Sequence, residues 1–362
     1  MKKKLFTSLG LMSGTSMDGI DLSIIKSDGF DEYTTIIDQY FKYNNDIYEN
    51  LITLRDRISN LADLTKYKSD LDELERKISI FNAETVNNVL SKNNLNVDLI
   101  GFHGQTIYHN SDQKISKQIG SGEKLSKITK KTVVCNFRDN DLNNGGEGAP
   151  LAPIFHKLLV KQNKIEMPVS IINIGGISNI TSINNNFSMY SRDIGPGNCL
   201  IDKWIRLKSK KKYDEKGSIA RSGTIDKFIL NQSLDNFYNN EISKKKSFDT
   251  NDFDLSFARG LNLENGAATL TEFTADICSK KIASGNIYVS GGGRKNSFLI
   301  ERLEKKTNSE ITLIDEMGID GDFIESQAFA YLAVRSFLKL PISFPETTGC
   351  SEPCSGGKIF LK

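Results

Sequence analysis

The same local pattern occurs twice in this chain: an apolar strand, a glycine-bearing turn and a second apolar strand. The first copy spans residues 9–25 and the second spans residues 171–183. Between such strands lie long segments whose apolar residues recur every three or four positions, a spacing typical of helices. We therefore predict an α/β protein with two related halves that face each other across a cleft.

The length of the chain supports two domains. It has 362 residues, whereas a single hydrophobic core stops growing at roughly 250–300 residues. All periodicity breaks down in the glycine-rich stretch within residues 136–153. This stretch is the predicted place of a domain boundary.

Composition argues against nucleic-acid and membrane partners. The net charge is only +2, and the lysine clusters at residues 208–212 and 244–246 are surrounded by acidic residues and asparagine. We interpret them as surface loops rather than a nucleic-acid patch. No apolar run approaches the roughly 20 residues that span a bilayer. The basic start of the chain, followed by residues 5–12, is interpreted as a first strand rather than a signal peptide.

The cysteines favour a reducing compartment, and hence the cytoplasm. The five cysteines are an odd number scattered along the chain, unlike a disulfide framework. Cys350 and Cys354 are close in sequence, but no second pair accompanies them and the histidines are distant. A zinc site is therefore not expected.

The first glycine turn, in residues 10–21, is suited to phosphate. Its small residues let the backbone approach a ligand, and successive N–H groups and hydroxyls can surround phosphate oxygens. Asp18 and Asp21 suit such a site if Mg²⁺ lies between them and the phosphates, because Mg²⁺ takes one or two carboxylates plus phosphate and water. The alternative is a hairpin turn capped by Ser and Asp. The segment is not a Walker loop, because the GK[ST] ending is missing.

Two later turns extend this pattern. Gly175 and Gly176 follow an apolar strand, as in the first segment, and a pair of such hairpins could hold a triphosphate from both sides. Gly291, Gly292 and Gly293 lie between a strand and a helix, where a nucleobase or ribose can pack on the backbone. An ordinary hairpin is the alternative for the second turn. The third lacks the GxGxxG spacing of a dinucleotide site.

Segments along the whole chain resemble the anhydro-N-acetylmuramic acid kinase family, within the actin-like ATPases that include sugar kinases and Hsp70-type chaperones. The matching segments are residues 10–21, 101–106, 136–138, 145–151, 173–179, 193–198, 268–275, 290–296, 321–330 and 347–357. The resemblance implies a two-domain actin-like α/β fold with an interdomain cleft. It places residues 1–136 and about 345–362 in the first domain and 137–344 in the second.

The resemblance also implies a reaction. The family uses ATP and water on 1,6-anhydro-N-acetylmuramic acid and yields N-acetylmuramic acid 6-phosphate during peptidoglycan recycling. A general base activates water against the anomeric carbon, and O6 takes the γ-phosphoryl group as the C1–O6 bond breaks. The implied cofactors are ATP and Mg²⁺, the partner is a small sugar, and a homodimer is the family's implied assembly.

Asp193 matches the catalytic base of the family in the pattern D-x-G-P-G-N. An acidic residue before a glycine-proline-glycine turn is otherwise a common turn-former. Arg192 departs from the aromatic residue usual at that position, and residues 246–254 depart from the usual K-S-T-G-R-E form. The role of the second departing segment stays open.

The resemblance, together with the glycine turns, assigns the remaining site residues. ATP is expected to bind at Gly14, Thr15, Ser16, Met17, Asp18, Gly19, Ile20, Asp21, Gly175, Gly176, Gly291, Gly292, Gly293 and Asn296. Asp18 and Asp21 would reach the metal through water. The sugar is expected to contact Ser13, His103, Gln105, Arg138 and Glu325.

Some of these residues have structural alternatives. His103 could instead tie two loops together, and Arg138, suited to the lactyl carboxylate or a phosphate, could form a surface ion pair. Glu325 could be a favourable charge in a first helical turn. Glu147 is interpreted as a loop residue.

Two other functions are compatible with the same superfamily. One is a related kinase that phosphorylates another sugar without hydrolysis. The other is a nucleotide-switched chaperone or assembly protein, against which the segments at 145–151 and 193–198 argue, because they match the sugar kinase. Fold analogy alone would not decide among them.

Overall fold

The structure is a computed structural model that describes residues 4–244, 247–283 and 285–362. Lys245 and Lys246, which end the second lysine cluster and begin the departing segment, lie outside the described residues. The described strands are β1 (Phe6–Ser13), β2 (Gly19–Ser27), β3 (Tyr33–Lys42), β4 (Leu99–Asn110), β5 (Ile115–Ile119), β6 (Thr132–Cys135), β7 (Val169–Ile174), β8 (Ile177–Ile183), β9 (Met189–Pro196), β10 (Asn286–Ser290), β11 (Ile311–Leu313) and β12 (Lys358–Phe360).

The α-helices are interspersed with these strands along the chain. They are α1 (Asn45–Arg57), α2 (Leu61–Lys66), α3 (Lys68–Lys92), α4 (Gly122–Thr129), α5 (Asp139–Asn143), α6 (Pro153–Gln162), α7 (Cys199–Lys208), α8 (Ser218–Ser222), α9 (Lys227–Asn239), α10 (Leu263–Ser279), α11 (Ser297–Thr307), α12 (Ile324–Phe337) and α13 (Pro345–Thr348). Among the described residues, no helix is both long and apolar enough to cross a membrane.

The chain forms two compact units, each built on one sheet. The first unit contains the residues up to Lys164 and Phe323–Lys362, and the second is Ile165–Asp322. The first sheet has the order β12-β6-β4-β1-β2-β3, with β5 paired to β4, and the second has the order β11-β10-β7-β8-β9.

The two sheets share one plan. In each, three antiparallel strands in sequence (β1–β2–β3 and β7–β8–β9) are continued by two parallel strands on the side of the first (β4 and β6, β10 and β11). The prediction of two related α/β halves is confirmed by this shared order.

Helix α12 packs unusually closely on the first sheet. Gly10 and Gly101 are paired across β1 and β4. A Cβ at Gly10 would lie 1.9 Å from the Ser326 carbonyl oxygen, and one at Gly101 would lie 2.2 Å from that of Phe329. Only glycine therefore fits beneath the helix at these two positions. The close approach buries α12 almost entirely and ties it to the first unit.

The boundaries of these units differ from the domain division inferred from the resemblance. That division placed 137–344 in the second domain, whereas residues 137–164 and 323–344 belong to the first unit. The packing of α12 on β1 and β4 accounts for the later boundary. Helix α6 accounts for the earlier one, since Gln162 exchanges hydrogen bonds with the backbone of Tyr33.

Most strands and helices predicted from periodicity are present, but several elements are not apparent in the sequence. Strand β3 has polar residues and alternates poorly, because it is the sheet edge. Strand β9 contains Asp193 and ends in Gly195 and Pro196, which the sequence indicated to be part of a turn. Asp193 therefore lies on a strand rather than before a turn. A site built on a strand holds a side chain more firmly than one on a loop.

Candidate active site

The first glycine segment forms a short turn between β1 and β2. The Met17 N–H donates to the Gly14 carbonyl oxygen at 3.2 Å, and the Met17 side chain lies in the apolar core. Ile20 is also in this core. Thr15 and Ser16 are exposed. The turn therefore presents small side chains to solvent from a fixed base, which suits a phosphate-binding loop.

The two carboxylates of this segment both lie near the Tyr40 hydroxyl. Asp18 accepts a hydrogen bond from Ser16 Oγ at 2.6 Å. Burial, followed by the charges of Asp18 and Asp21, raises the pKa of the Tyr40 hydroxyl, so both carboxylates are close to that group. No cluster of three or more His, Cys, Asp or Glu side chains suited to a metal occurs in the described part of the chain. Two carboxylates beside a phosphate loop fit Mg²⁺ when phosphate and water complete its ligands.

Gln105 lies directly beneath the turn. Its Oε1 is 2.5 Å from Ser13 Oγ, and its Nε2 donates to the Gly14 carbonyl oxygen at 3.1 Å. Ser13 Oγ is also 2.8 Å from the Gly19 carbonyl oxygen, and only 1% of Gln105 is exposed. Ser13 and Gln105 thus link both ends of the turn to β4. Their predicted contact with the sugar stays a prediction, whereas their support of the turn is visible.

The buried His103 and the half-buried Arg138 form a pair in the first unit. Arg138 Nη2 lies 2.9 Å from His103 Nε2, and Arg138 Nη1 donates to the Gly148 carbonyl oxygen at 2.7 Å. His103 Nδ1 is 2.8 Å from the Gly104 carbonyl oxygen, so Nδ1 carries the proton and Nε2 accepts. Burial, with the nearby Arg138 charge, lowers the pKa of His103 to about 3. His103 is therefore neutral at physiological pH, and it links β4 to Arg138, which directly precedes α5.

Replacing Arg138 with methionine should lower the free energy of unfolding by about 3 kcal/mol, because buried partners lose their charged donor. His103 Nε2 and the Gly148 carbonyl oxygen would both be left without it. Urea-induced unfolding measures the change. The matched control is Arg221→Met, since Arg221 and Glu301 form an exposed ion pair that should contribute less than about 1 kcal/mol. Equal effects of the two substitutions would contradict the structural role of Arg138.

Asp141 supports the glycine-rich loop at residues 145–151. One carboxylate oxygen accepts from the Gly148 N–H at 2.7 Å, and the other accepts from Thr348 Oγ1 at 2.6 Å. The Glu147 N–H donates to the Thr348 carbonyl oxygen at 2.8 Å. Sequence reasoning missed Asp141. Its one signal was an acidic residue placed just before a loop rich in glycine, where backbone N–H groups need acceptors.

Glu325 lies in the first turn of α12, as the pattern of the helix indicated. Burial raises the pKa of Glu325, and the charge of Arg138 opposes this rise. Glu325 and Arg138 are thus neighbours in the first unit. A carboxylate and a guanidinium that share a partly buried site can bind the polar groups of a sugar.

In the second unit, the Gly175–Gly176 turn contacts the end of β9. The N–H groups of Gly197 and Asn198 donate to the carbonyl oxygens of Gly176 and Gly175 at 2.9 and 2.8 Å. A Cβ at Gly197 would lie 2.2 Å from the Gly175 carbonyl oxygen. The second glycine turn and the D-x-G-P-G-N segment therefore form one backbone-linked structure.

The third glycine turn packs against the end of β7, which leads into the second glycine turn. A Cβ at Gly291 would lie 2.3 Å from Asn173 Oδ1, and one at Gly293 would lie 2.2 Å from Ile174 Cγ2. Gly292 has no atom within 4 Å of its own Cβ position and is exposed. The turn thus approaches β7 closely on one side and leaves open space at Gly292. The second unit brings together the second and third glycine segments.

Arg294 holds this third turn, and sequence reasoning missed it. Its Nε donates to Asp315 Oδ2 at 2.7 Å, and its Nη1 donates to Asp322 Oδ1 at 2.5 Å and to the Gly291 carbonyl oxygen at 3.2 Å. Its side chain is only 4% exposed. Arg294 fixes the glycine turn to the loop that follows β11. Asn296, predicted to bind ATP, accepts from the Leu299 N–H at 3.0 Å and so caps α11.

Asp193 lies on β9, opposite Asn179 of β8. Its Oδ2 accepts from the Phe248 N–H at 2.8 Å. Arg192 Nε donates to the Asp193 carbonyl oxygen at 3.3 Å. The carboxylate is thus held by the backbone of the segment that departs from the usual family form. Asp193 and both later glycine turns belong to the same unit.

Two sheets of one order, each with a glycine turn after its first strand, define the chain as a duplicated α/β protein of the actin-like kind. A family model described as anhydro-N-acetylmuramic acid kinase matches residues 6–362. The chain belongs to this family. The resemblance found in the sequence is confirmed, and so is the predicted class of enzyme, a kinase that uses ATP.

Relatives of known name match the chain along its length. The anhydro-N-acetylmuramic acid kinase of Pelagibacter ubique is 52% identical, with 99% of each chain covered. That of Methylobacterium nodulans is 38% identical, covering 97% of this chain and 98% of the relative. Among solved structures, the (R)-2-hydroxyglutaryl-CoA dehydratase component A of Acidaminococcus fermentans is 11% identical with a TM-score of 0.48, covering 92% of this chain and 100% of the other.

Proposed function

We propose that this protein converts 1,6-anhydro-N-acetylmuramic acid, water and ATP to N-acetylmuramic acid 6-phosphate and ADP. The observation that carries the proposal is the position of Asp193. Its carboxylate lies on a strand that is directly followed by Gly197 and Asn198, whose N–H groups donate to the Gly175–Gly176 turn. The Gly291–Gly293 turn packs on the end of β7, which leads into that turn. A proton acceptor and two proposed nucleotide-binding turns therefore share one rigid unit.

Asp193 is the proposed general base. Its carboxylate takes a proton from water as the water oxygen bonds to C1 of the sugar. The C1–O6 bond breaks, and O6 forms a bond to the γ-phosphorus while the bond to ADP breaks. The developing charge on O6 is thereby transferred to phosphate instead of accumulating on a poor leaving group.

The glycine turns are proposed to bind the nucleotide. Gly14, Thr15 and Ser16 would surround phosphate oxygens with N–H groups and hydroxyls, and the open backbone at Gly292 would accept the adenosine. Met17, Ile20 and Asn296 have side chains engaged in the core or in a helix cap, so we assign them support of the backbone. Asp18 and Asp21 would hold Mg²⁺ through water, and the ion would neutralise phosphate charge.

The sugar is proposed to contact the cluster of Glu325 and Arg138. A positive guanidinium suits the lactyl carboxylate. Gln105, Ser13 and His103 would support the site without being exposed in it, because all three are buried. Ser13 and Gln105 are bonded to the backbone of the first glycine turn, and His103 is bonded to the backbone of β4. Five free thiols and the use of ATP agree with a cytoplasmic location. A homodimer remains a family expectation that sedimentation would test.

The decisive experiment is incubation with ATP, Mg²⁺ and 1,6-anhydro-N-acetylmuramic acid in ¹⁸O-labelled water. The product should gain the mass of one phosphate and one water, with the label at C1, because water attacks that carbon. Mass spectrometry of product fragments locates the label. Phosphate gain without water would indicate a kinase that does not hydrolyse its substrate. ATP hydrolysis stimulated by peptide instead of sugar would indicate a chaperone or assembly protein.

A further inference from the structure

The segment of residues 247–254 contacts the proposed base although it departs from the usual sequence of the family. The Phe248 N–H donates to Asp193 Oδ2 at 2.8 Å, across 55 positions of sequence. A backbone donor to a carboxylate both orients the group and stabilises its charged form. We propose that this segment is a positioning element for Asp193 and that the Phe248 N–H is its acting group.

Contacts with the core of the second unit hold this segment in place, so it is not a loosely held loop. The Phe248 ring packs on Phe253 with ring centroids 5.3 Å apart, and Phe253 packs on Phe237 at 6.2 Å. Phe253 is 6% exposed and belongs to the core of the second unit. Burial of such rings contributes about 1.5–3 kcal/mol each. The packing of these two rings therefore fixes the position and orientation of the Phe248 N–H relative to the Asp193 carboxylate.

A second set of contacts fixes the middle of the segment. Lys203 Nζ donates to the Thr250 carbonyl oxygen at 2.8 Å, and the Asp249 N–H donates to Asp252 Oδ2 at 2.8 Å. Lys203 lies on α7, which begins at Cys199, immediately after the D-x-G-P-G-N segment. The segment and the strand of Asp193 are thus tied to the same helix. These contacts therefore restrict movement of the segment relative to β9.

These contacts explain how the departing sequence can serve the site. The glycine and arginine of the usual K-S-T-G-R-E form are absent, and the segment is anchored by the buried ring of Phe253 and the half-buried ring of Phe248. A backbone N–H requires no particular side chain at its own position. In this chain the segment therefore needs only to place one donor, and the packed rings of Phe248 and Phe253 hold the backbone that carries it.

The first test compares Phe248→Pro with Phe248→Ala. Alanine removes the ring and keeps the N–H, whereas proline removes both. Relative to the alanine variant, the proline variant should have a kcat lower by about tenfold, the effect of losing a hydrogen bond to a charged group. The KM for ATP should be the same in both. Equal kcat values in the two variants would overturn the role of this N–H.

The pH profile of kcat/KM is a readout that a merely structural role would not move. The acid limb should lie about one pH unit higher in Phe248→Pro than in Phe248→Ala, because the charged carboxylate loses its donor. Burial raises the pKa of Asp202, on α7, to about 6. Asp202, like Arg192 and Lys203, is unchanged in both variants, so its titration cancels in the comparison. Coincident acid limbs would overturn the inference.

A second pair of variants covers the case in which proline prevents folding. Phe253→Ala removes the ring that packs on Phe248, and Phe257→Ala removes a ring of the same cluster that packs on Phe273 at 5.1 Å. Phe253→Ala should reduce kcat several-fold more than Phe257→Ala at similar thermal stability, since lost ring packing shifts the donor. Equal reductions would count against the positioning element.

This inference depends on the proposed role of Asp193, and the two can fail separately. An active Asp193→Asn variant would refute the base itself. An inactive Asp193→Asn variant, combined with equal behaviour of Phe248→Pro and Phe248→Ala, would refute only the positioning by residues 247–254.

Discussion

Replacing Asp193 with asparagine should reduce kcat by about a thousandfold, the middle of the range for loss of a general base. Asparagine has nearly the same shape and can still accept the Phe248 N–H that lies 2.8 Å from Oδ2 in the native protein. It cannot accept a proton from water. Substrate positioning should therefore persist while the chemical step fails. Coupled-enzyme detection of ADP, at saturating sugar, measures the change.

Binding measurements separate a catalytic effect from a folding effect. The ATP dissociation constant of the variant, from calorimetry, should agree with that of the native protein within about twofold, because the glycine turns are untouched. Asp235→Asn is the matched control, since Asp235 is exposed on α9 of the same unit. It should leave kcat unchanged. An Asp193→Asn variant with substantial turnover would require another base.

Replacing Gly10 with alanine should lower the free energy of unfolding by about 3 kcal/mol, the severe end for overpacking a core. The new Cβ would lie 1.9 Å from the Ser326 carbonyl oxygen and 2.6 Å from the Ala330 nitrogen. Both atoms belong to the backbone of α12, so no side-chain rotation can relieve the clash. The helix would have to move away from β1. Urea-induced unfolding followed by circular dichroism measures the loss.

Gly14 provides the matched control from the same segment. No atom lies within 4 Å of its Cβ position. Gly14→Ala should therefore change the free energy of unfolding by less than about 0.5 kcal/mol. Its effect should appear in the KM for ATP, if the turn binds phosphate. Equal destabilisation by the two alanines would contradict the close packing of α12.

Hydrophobic periodicity predicted the strands and helices whose residues have similar surroundings along the whole element. Strand β7 is largely apolar because nearly all of its residues are buried, and α12 has the helical spacing of apolar residues because it is buried. Strand β9 was missed since it ends in Gly195 and Pro196, residues that locally favour a turn. Its strand conformation is imposed by pairing with β8. Tertiary contacts there override local preference.

The sequence predicted which residues belong to the candidate site, but it predicted few of the contacts between them. Glycine turns and Asp193 have signals within a few positions of sequence. The hydrogen bond from the Ser13 hydroxyl to the Gln105 side chain joins residues 92 positions apart, and that from the Thr348 hydroxyl to Asp141 spans 207 positions. No local pattern contains such information. The same reason kept the link between Phe248 and Asp193 out of reach of the sequence.

The division of the first unit along the chain has a consequence for biosynthesis. All strands of its sheet except β12 come before Lys164, but α12 and β12 follow only after the whole of Ile165–Asp322. On the ribosome, β1 and β4 therefore emerge with Gly10 and Gly101 uncovered, and their covering helix is still untranslated. Domains usually fold in the order of their synthesis. Here the second unit has its complete sequence first, and the unit that begins the chain is the last to be finished.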